Sequence, residues 1–536
     1  MDYAEIVELE AMALQGPMNA VIDLGASEIQ KHYRGSTVFL TGATGFLGKL
    51  MIEKLLRSCD IKVIYVLLRE KRGKNMQDRL DSITSEPLFD HLRGKQPSFA
   101  EKLVPVHGDI SQLRLSLGDE DWKTLTNEVD TIYHYAATTK FDEPIKVATL
   151  INVRGTREVL KLAKECKKLR SLVHVSTAFC WTTRSRINDD VYEEFYQAPI
   201  APDALIQLAE SMDEDRLNNI EEALTDDWPN TYTFTKMEAE ELVRTMGKDL
   251  PVCVVRPPIV VVPYYEPAPG WLDMHSSMGA SGVLLGLGLG LIHVIYSRDV
   301  KFCYLPGDYA TNATIAAGWD TAVKNENGPT DLKIYTFSNI RSKKEYSWGY
   351  FDKLLRGEEA KNLTSPKSIW YGCAILTDNK LFYWLLTWFL HYVPAYILQF
   401  VFYVFKLKMP KGLPANFDFV RLYTKIYKIG LQYGYFLTNE WKIHDNNTEE
   451  LFNKMSELDR TIYNFDIHKI DWKKLLYVWG LGLRKYIVKD GLKDSERGRR
   501  KQQYLRVAHY IFMTLYIYAI WKIVSLFWSL TLWCLE

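Results

Sequence analysis

The run Val38-Phe39-Leu40-Thr41-Gly42-Ala43-Thr44-Gly45-Phe46-Leu47-Gly48 decides the fold. An apolar stretch ends in a glycine-rich turn, and Leu50, Met51, Leu55 and Leu56 follow at helical spacing. This reads as strand, turn, helix. The glycines follow a G-x-x-G-x-x-G pattern. Gly42 permits the tight turn, Gly45 lets a pyrophosphate approach bare backbone, and Gly48 allows close helix–sheet packing. The helix N-terminus then offers N–H groups and a positive dipole end to phosphate. Thr41, Gly42, Thr44, Gly45, Phe46, Leu47 and Gly48 are therefore assigned to cofactor binding. The expected fold class is α/β, a Rossmann-type doubly wound parallel sheet.

Moving outward, Val63–Leu68 is an apolar run that suits a buried parallel strand. It ends at Arg69, roughly 20 residues past the last glycine, where the second strand meets the adenosine ribose. An acidic residue there selects NAD. A guanidinium, with Lys71 and Arg72 behind it, suits a 2′-phosphate and favours NADPH. Glu70 competes for the same ribose, and a solvated strand end is the plain alternative for Arg69. Leu103–His107 leads to Gly108-Asp109-Ile110, where Asp109 either accepts from the adenine amino group or closes a turn. Asp109 and Ile110 join the cofactor set. Thr131–His134 leads to Ala136, whose small side chain allows the cofactor to lie against backbone. His134 and His174 read as packed core histidines rather than ligands.

Leu172–Val175 is a further strand, ending in Ser176-Thr177. Residues 181–230 form an acidic insertion at a position suited to a substrate lid. A helix then begins near Thr231 and carries Tyr232 and Lys236 on one face, four residues apart. That pair, after a dinucleotide turn and a Ser-Thr strand end, is a reductase constellation. Lys236 holds the nicotinamide ribose and lowers the Tyr232 pKa. Tyr232 supplies a proton to an oxygen that gains charge when hydride reaches its carbon. Thr177, with Ser176 as the alternative, hydrogen-bonds the same oxygen. Val252–Val255 closes with Arg256-Pro257-Pro258, and Pro258 and Ile259 complete the cofactor set.

The 536 residues exceed one ordinary domain. The balance of 66 basic and 66 acidic residues does not suggest a nucleic-acid partner. The seven cysteines lack C-x-x-C spacing, which fits reduced thiols and no metal site. Residues 1–20 are acidic and read as no secretory signal. The expected organisation is a mobile leader at 1–30, a nucleotide-binding domain with substrate-binding insertions at 31–345, a helical domain at 346–495 and a membrane anchor at 507–533. The main boundary falls in the polar stretch Lys343–Lys367. Gly279–Ile295 is apolar but glycine-spaced and reads as buried against the substrate pocket. Leu381–Phe405, interrupted by His391 and Pro394, reads equally as a membrane segment or a core hairpin. Val507–Trp533 is long enough to span a bilayer, although Lys522 is costly at its centre. The preceding Arg497, Arg499, Arg500 and Lys501 orient the body toward the cytosol.

These residues carry a resemblance. The sequence resembles extended short-chain dehydrogenase/reductases, and more closely the eukaryotic fatty acyl-CoA reductases. The matching runs are Thr41–Gly48, His174–Phe179, Pro229–Lys236 and Arg256–Val260. Glu266–Asp273, His391–Ala395, Met455–Arg460 and Gly482–Tyr486 extend the likeness into the carboxyl portion. The resemblance implies reduction of long-chain fatty acyl-CoA to a primary alcohol with two NADPH, through an aldehyde. It implies a membrane-bound enzyme at the endoplasmic reticulum or peroxisome. Leu305–Tyr309 departs from the family's usual segment, which leaves Asp308 without a clear role. The competing readings are a membrane-bound sterol or other extended short-chain dehydrogenase, and a non-catalytic lipid-surface protein. Chain-length preference and oligomeric state are not legible.

Overall fold

The computed structural model describes every residue except 71, 72, 74, 274–278, 302, 327, 329–330, 339–346, 407, 409–416 and 536. Lys71, Arg72 and the start of the Lys343–Lys367 stretch lie outside the described residues. Seven strands form the main sheet: β1 (Thr37–Thr41), β2 (Val63–Leu68), β3 (Leu103–His107), β4 (Thr131–His134), β5 (Ser171–Val175), β6 (Val252–Arg256) and β7 (Lys333–Thr336). Their order is 3-2-1-4-5-6-7 and every pairing is parallel. The order reverses between β1 and β4, the switch point where doubly wound sheets bind nucleotides.

Both sheet faces are covered, so the strands are apolar on both sides. The period-2 alternation is direct. Val38, Leu40, Ile64, Val66 and Val173 enter one core, while Phe39, Leu67 and Leu172 enter the other. The first core is roofed by the helix Phe46–Ser58, which follows the glycine turn, and by the buried helix Gly307–Glu326. The second is roofed by Gly155–Glu165 and Thr231–Met246.

Three expectations are corrected here. Residues 1–30 are not a loose leader: helices Tyr3–Ala13 and Gln15–Leu24 bury Ala4, Val7, Ala11, Met18 and Ile22. The 181–230 insertion is not a lid. Leu205, Ile206, Ala209 and Leu217 are buried in the second core beside Phe234 and Met237, so apolar burial fixes the insertion against the sheet's outer helices. The polar stretch after residue 343 does not separate two cores. Tyr463, Phe465, Trp472 and Trp479 belong to the same cluster as Val38 and Leu55.

A buried ionic network explains this fusion. Glu266 receives Lys54 Nζ at 2.7 Å, Arg57 Nη2 at 2.7 Å and Asn312 Nδ2 at 2.9 Å. Burial opposes its ionisation, but the two cations outweigh burial and hold the carboxyl below its ordinary range. Lys54 Nζ also donates to the Ile462 carbonyl at 2.6 Å, and Asn312 Nδ2 to that of Asn464 at 3.0 Å. Asp308 gains a role from the same loop. Its carboxylate accepts from the backbone N–H groups of Tyr264, Tyr265 and Glu266 at 3.0, 3.1 and 3.3 Å.

The carboxyl portion ends in two long apolar helices. Lys380–Val404 continues through His391 and Pro394 by way of a π turn at Trp388–Tyr392, so neither residue interrupts it. Ser495–Leu535 is a single helix. Both are long and apolar enough to cross a membrane. Part of the basic flank of the tail is spent on the body. Arg499 pairs with Glu358 at 3.1 Å, and Lys501 donates to the Pro366 carbonyl at 3.1 Å.

Removing one member of a buried charge network strands its partners. Glu266→Ala should destabilise the protein by about 3–5 kcal/mol, read by denaturant unfolding of the detergent-solubilised chain. A loss below about 1 kcal/mol would mean the network behaves like an exposed pair.

Candidate functional site

The sequence-assigned residues converge on one edge. The glycine turn follows β1, Arg69 follows β2, Asp109 and Ile110 follow β3, Ala136 follows β4, Thr177 follows β5, and Pro258 and Ile259 follow β6. The carboxyl ends of the strands therefore supply the set except Tyr232 and Lys236, which come from the helix Thr231–Met246.

The turn is shaped by steric necessity. Gly42 has φ +78°, and a Cβ there would lie 2.7 Å from the Ala136 backbone nitrogen. A Cβ on Gly48 would lie 2.2 Å from the Gly42 carbonyl oxygen. Gly48 thus serves the turn's own closure rather than helix–sheet packing. Gly45 caps the helix Phe46–Ser58 without a side chain, and an added Cβ would approach only the Gly42 oxygen, at 3.3 Å. Bare backbone at a helix N-terminus fits a pyrophosphate. Phe46 stacks on Trp271 with centroids 5.2 Å apart. Leu47 packs against the first core.

Thr41 turns inward instead of outward. The Ala136 N–H donates to Thr41 Oγ1 at 3.2 Å, and Thr41 Oγ1 lies 2.8 Å from His134 Nδ1. His134 Nε2 lies 3.0 Å from Thr156 Oγ1, which donates to the Asn152 carbonyl at 2.7 Å. This order of donors requires neutral His134 with its proton on Nε2. Burial agrees, lowering its pKa to about 3.

At the adenosine end, Thr44, Arg69, Glu70, Arg79, His107 and Asp109 line a cavity of ≈ 630 Å³. The Arg69 side chain is 68% exposed, and its Nη1 stands 3.7 Å from Asp109 Oδ2. Asp109 also closes its own turn, since Oδ1 accepts from Ser111 N at 2.9 Å and Ser111 Oγ at 2.8 Å. Ile110 lies over Gly155, where any Cβ would sit 2.7 Å from it.

Thr177, Tyr232 and Lys236 meet at the ends of β5 and β6. Burial raises the Tyr232 phenol above its ordinary value, and a hydrogen bond with Thr177 opposes that shift. Lys236 does not depress the phenol as expected. Its ammonium is drawn away, donating to the Val175 carbonyl at 2.7 Å and lying 3.5 Å from His174 Nε2. Burial lowers Lys236 to about 8, against the pull of the Glu240 carboxylate. Ser176 lies toward Cys180 instead, so Thr177 is the hydroxyl on Tyr232.

Some contributors were not legible. Asn152 sits in the π turn Thr149–Arg154. It accepts from Thr138 N at 2.9 Å and donates to Thr235 Oγ1 at 2.9 Å, tying the β4 loop to the Tyr232 helix. Phe141 stacks beside Tyr232 at 6.0 Å and touches Tyr433 at 5.1 Å. Tyr433 comes from the carboxyl portion, so no local spacing announces it. Among the described residues no cluster of His, Cys, Asp or Glu is arranged to hold a metal.

The sheet order, the glycine turn and the Thr-Tyr-Lys group define a nicotinamide-dinucleotide-binding oxidoreductase of the extended short-chain type. Family models described as male sterility protein match residues 40–314 and 390–490. The chain is 33% identical to fatty acyl-CoA reductase wat of Drosophila melanogaster, covering 94% of each. It is 33% identical to human fatty acyl-CoA reductase 1, over 92% of this chain and 93% of that one. Among solved structures, the terminal R domain of the myxalamid PKS-NRPS pathway aligns with TM-score 0.50 and 19% identity, covering 84% of this chain and 91% of that one. The reductase domain of a non-ribosomal peptide synthetase from Mycobacterium tuberculosis gives TM-score 0.50 and 17% identity, over 91% and 99%. These two likenesses establish the fold alone. The chain belongs to the fatty acyl-CoA reductase family.

Gly48→Ala tests the turn. The added methyl must displace the Gly42 carbonyl, and misplacement on this scale should weaken dinucleotide binding by about 10-fold to 100-fold. Titration of bound-cofactor fluorescence would read this, and unchanged affinity would contradict the closure role.

Proposed function

We propose that this chain reduces long-chain fatty acyl-CoA to a primary fatty alcohol and CoA, drawing both hydrides from NADPH. The observation that carries the reading is the meeting of Thr177, the half-buried Tyr232 and Lys236 at the carboxyl end of the parallel sheet, with Lys236 Nζ fixed on the Val175 carbonyl at 2.7 Å. The nicotinamide, when bound, supplies hydride to the substrate carbonyl carbon. Thr177 and Tyr232 hold the carbonyl oxygen, and Tyr232 gives it a proton as negative charge develops. A phenol kept neutral by burial is suited to donate. The first round yields a hemithioacetal that expels CoA and leaves an aldehyde. The same oxygen-binding pair serves the second round, because the aldehyde also presents a carbonyl. Lys236 turns from the Val175 carbonyl to the nicotinamide ribose, and its charge then favours the phenolate left after proton transfer. Thr44, Gly45 and the backbone N–H groups of Phe46 and Leu47 hold the pyrophosphate.

Arg69 reads as the 2′-phosphate ligand. Its guanidinium is exposed at the cavity and only loosely paired with Asp109, so a phosphate can recruit it without breaking a tight bond. Residues 507–533, within the long apolar helix Ser495–Leu535, read as the anchor, with the catalytic body on the cytosolic side of an endoplasmic reticulum or peroxisomal membrane. Lys522 stands 5.1 Å from the Trp521 ring centroid, and this contact eases its burial within the span. A lipid-embedded enzyme suits a substrate and product that both partition into membranes. The domain limits of 31–345 and 346–495 are retained as a functional division into dinucleotide and acyl-binding portions, although the two share one core.

Tyr232→Phe should lower kcat by about 10²-fold to 10⁴-fold while NADPH affinity is kept. Product analysis with an acyl-CoA series and NADPH checks this together with the end point. Turnover near wild type in the variant would assign the proton to another group. Arg69→Asp should weaken NADPH by about 10-fold or more and leave NADH nearly unchanged, measured as paired KM values. Equal losses for both cofactors would reject the phosphate role.

A further inference from the structure

Lys380–Val404 presents one stripe to the protein. Tyr383, Thr387, His391 and Ala395, each four residues from the last, are buried. The remaining circumference is exposed and apolar, including Phe382, Trp384, Phe389, Ile397 and Phe400. The docked stripe meets the first half of the helix Phe419–Thr438, which crosses it in the opposite chain sense. Tyr383 stacks on Tyr427 at 5.5 Å, His391 on Tyr423 at 4.8 Å, and Phe402 meets Phe419 at 5.8 Å. Gln399 Oε1 accepts from Phe419 N at 3.1 Å.

This pairing decides between spanning and lying in the membrane. If Lys380–Val404 crossed the bilayer, residues 419–430, which touch it near both of its ends, would lie within the same depth. That would put Arg421, Lys425 and Lys428, exposed along one side of the second helix, into hydrocarbon. Each such residue costs about 2.5–3.5 kcal/mol at the centre of a span, and three together exclude the arrangement. Exposure to water is equally poor for the first helix, whose bare apolar face extends over most of its length.

The tail fixes the depth. Tyr516 OH donates to the Phe389 carbonyl at 2.9 Å, within the π turn of Lys380–Val404. Trp370, just upstream of that helix, packs on Phe512 at 6.1 Å. With a span starting at Val507, Tyr516 lies about 13 Å along the helix at 1.5 Å per residue. A single leaflet's hydrocarbon is about 15 Å thick. Phe389 is therefore held at leaflet depth.

We propose that Lys380–Val404 is a second, non-spanning membrane contact, embedded in the cytosolic leaflet with its apolar face in lipid. Arg421, Lys425 and Lys428 remain at the headgroups, where cations meet lipid phosphates. This rests on the reading of residues 507–533 as a span. It also deepens the functional reading. Phe419–Thr438, about 30 Å long, then runs from the leaflet to Tyr433 and Phe436, which pack on Phe141 beside Tyr232. An acyl chain leaving the leaflet has a continuous aromatic wall to follow to the reacting carbon.

The test uses the full chain in phosphatidylcholine vesicles carrying a diazirine at mid-acyl depth, with adducts mapped by peptide mass spectrometry. Adducts are expected on both 382–400 and 507–529, and none on 421–428. Phe382→Glu with Phe400→Glu should remove at least ten-fold of the adducts on the first segment and spare those on the tail. Adducts confined to 507–529 would overturn the proposal while leaving the anchor intact. Absence of adducts from both would overturn the anchor reading and the proposal with it. Cross-linking of 382–400 only to a second copy of the chain would replace the lipid contact with a dimer interface and reject it.

Discussion

The structure depends on one buried carboxylate. Glu266 sits among Lys54, Arg57 and Asn312 with Glu53 close by, so two anions and two cations balance inside the fold. Such a network offsets its desolvation only when every member is well paired. It ties the cofactor-binding helix Phe46–Ser58 to the 263–273 loop, and Lys54 carries the tie onward to the Ile462 carbonyl. A second pair repeats the link one turn nearer the glycines: Lys49 bridges Asp273 at 2.8 Å and Glu86 at 2.6 Å. From the amino-terminal side, Gln15 Nε2 donates to the Tyr265 and Pro267 carbonyls at 2.6 and 3.0 Å. The helix that follows the glycine turn is thus held by the 263–273 loop, the Ile462 carbonyl and Glu86. Its position is set by charge and backbone pairing, not by packing alone.

The site itself is electrostatically quiet before ligands arrive. His134 and His174 are both driven neutral by burial, and Lys236 lies near its own point of deprotonation. Tyr232 is held protonated. Among the described residues no carboxylate acts on the Tyr232 phenol, so a carbonyl oxygen gaining negative charge meets donors rather than repulsion. The π turn at Thr149–Arg154 adds a fixed element, because it turns Asn152 toward both the β4 loop and Thr235.

What was legible in the sequence follows from the range of the interactions. The glycine turn, Tyr232 and Lys236 are local patterns: backbone geometry and helical spacing announce them. The parallel strands were readable because burial on both faces demands unbroken apolar runs. Non-local contacts were not readable. Nothing near Asn152 or Tyr433 signals its partner. The 1–30 segment reads as loose because it opens on Asp2, Glu5, Glu8 and Glu10 and lies ahead of the first strand, yet Gln15 and Met18 find partners in the 263–267 loop and the Lys54 helix. The 181–230 insertion resembles a lid because it is acidic, yet Leu205, Ile206 and Leu217 bury one face. The polar stretch after residue 343 marks a change in composition, but shared apolar burial joins what it appears to divide. The run around Glu266 carried family likeness without an evident reason, and the ionic network supplies that reason.

The same logic links the site to the apolar helices. A hydride acceptor tethered to a long alkyl chain needs apolar surface at one end and access to the Thr177–Tyr232 pair at the other. The carboxyl portion meets both demands because it is continuous with the first core on one side and exposes apolar helix on the other. Aromatic residues suit this task, since they bury large area and lose few rotamers on ordering. Glycines at 430 and 434 let Tyr383 and Tyr296 press against the bridging helix, where a Cβ would come within 2.3 and 2.2 Å of them. The helix therefore cannot shift relative to Lys380–Val404 without losing those contacts. One helix therefore touches Lys380–Val404 at Gly430 and Phe141 beside Tyr232 through Tyr433 and Phe436, so the distance between the apolar helix and the site is a property of the fold.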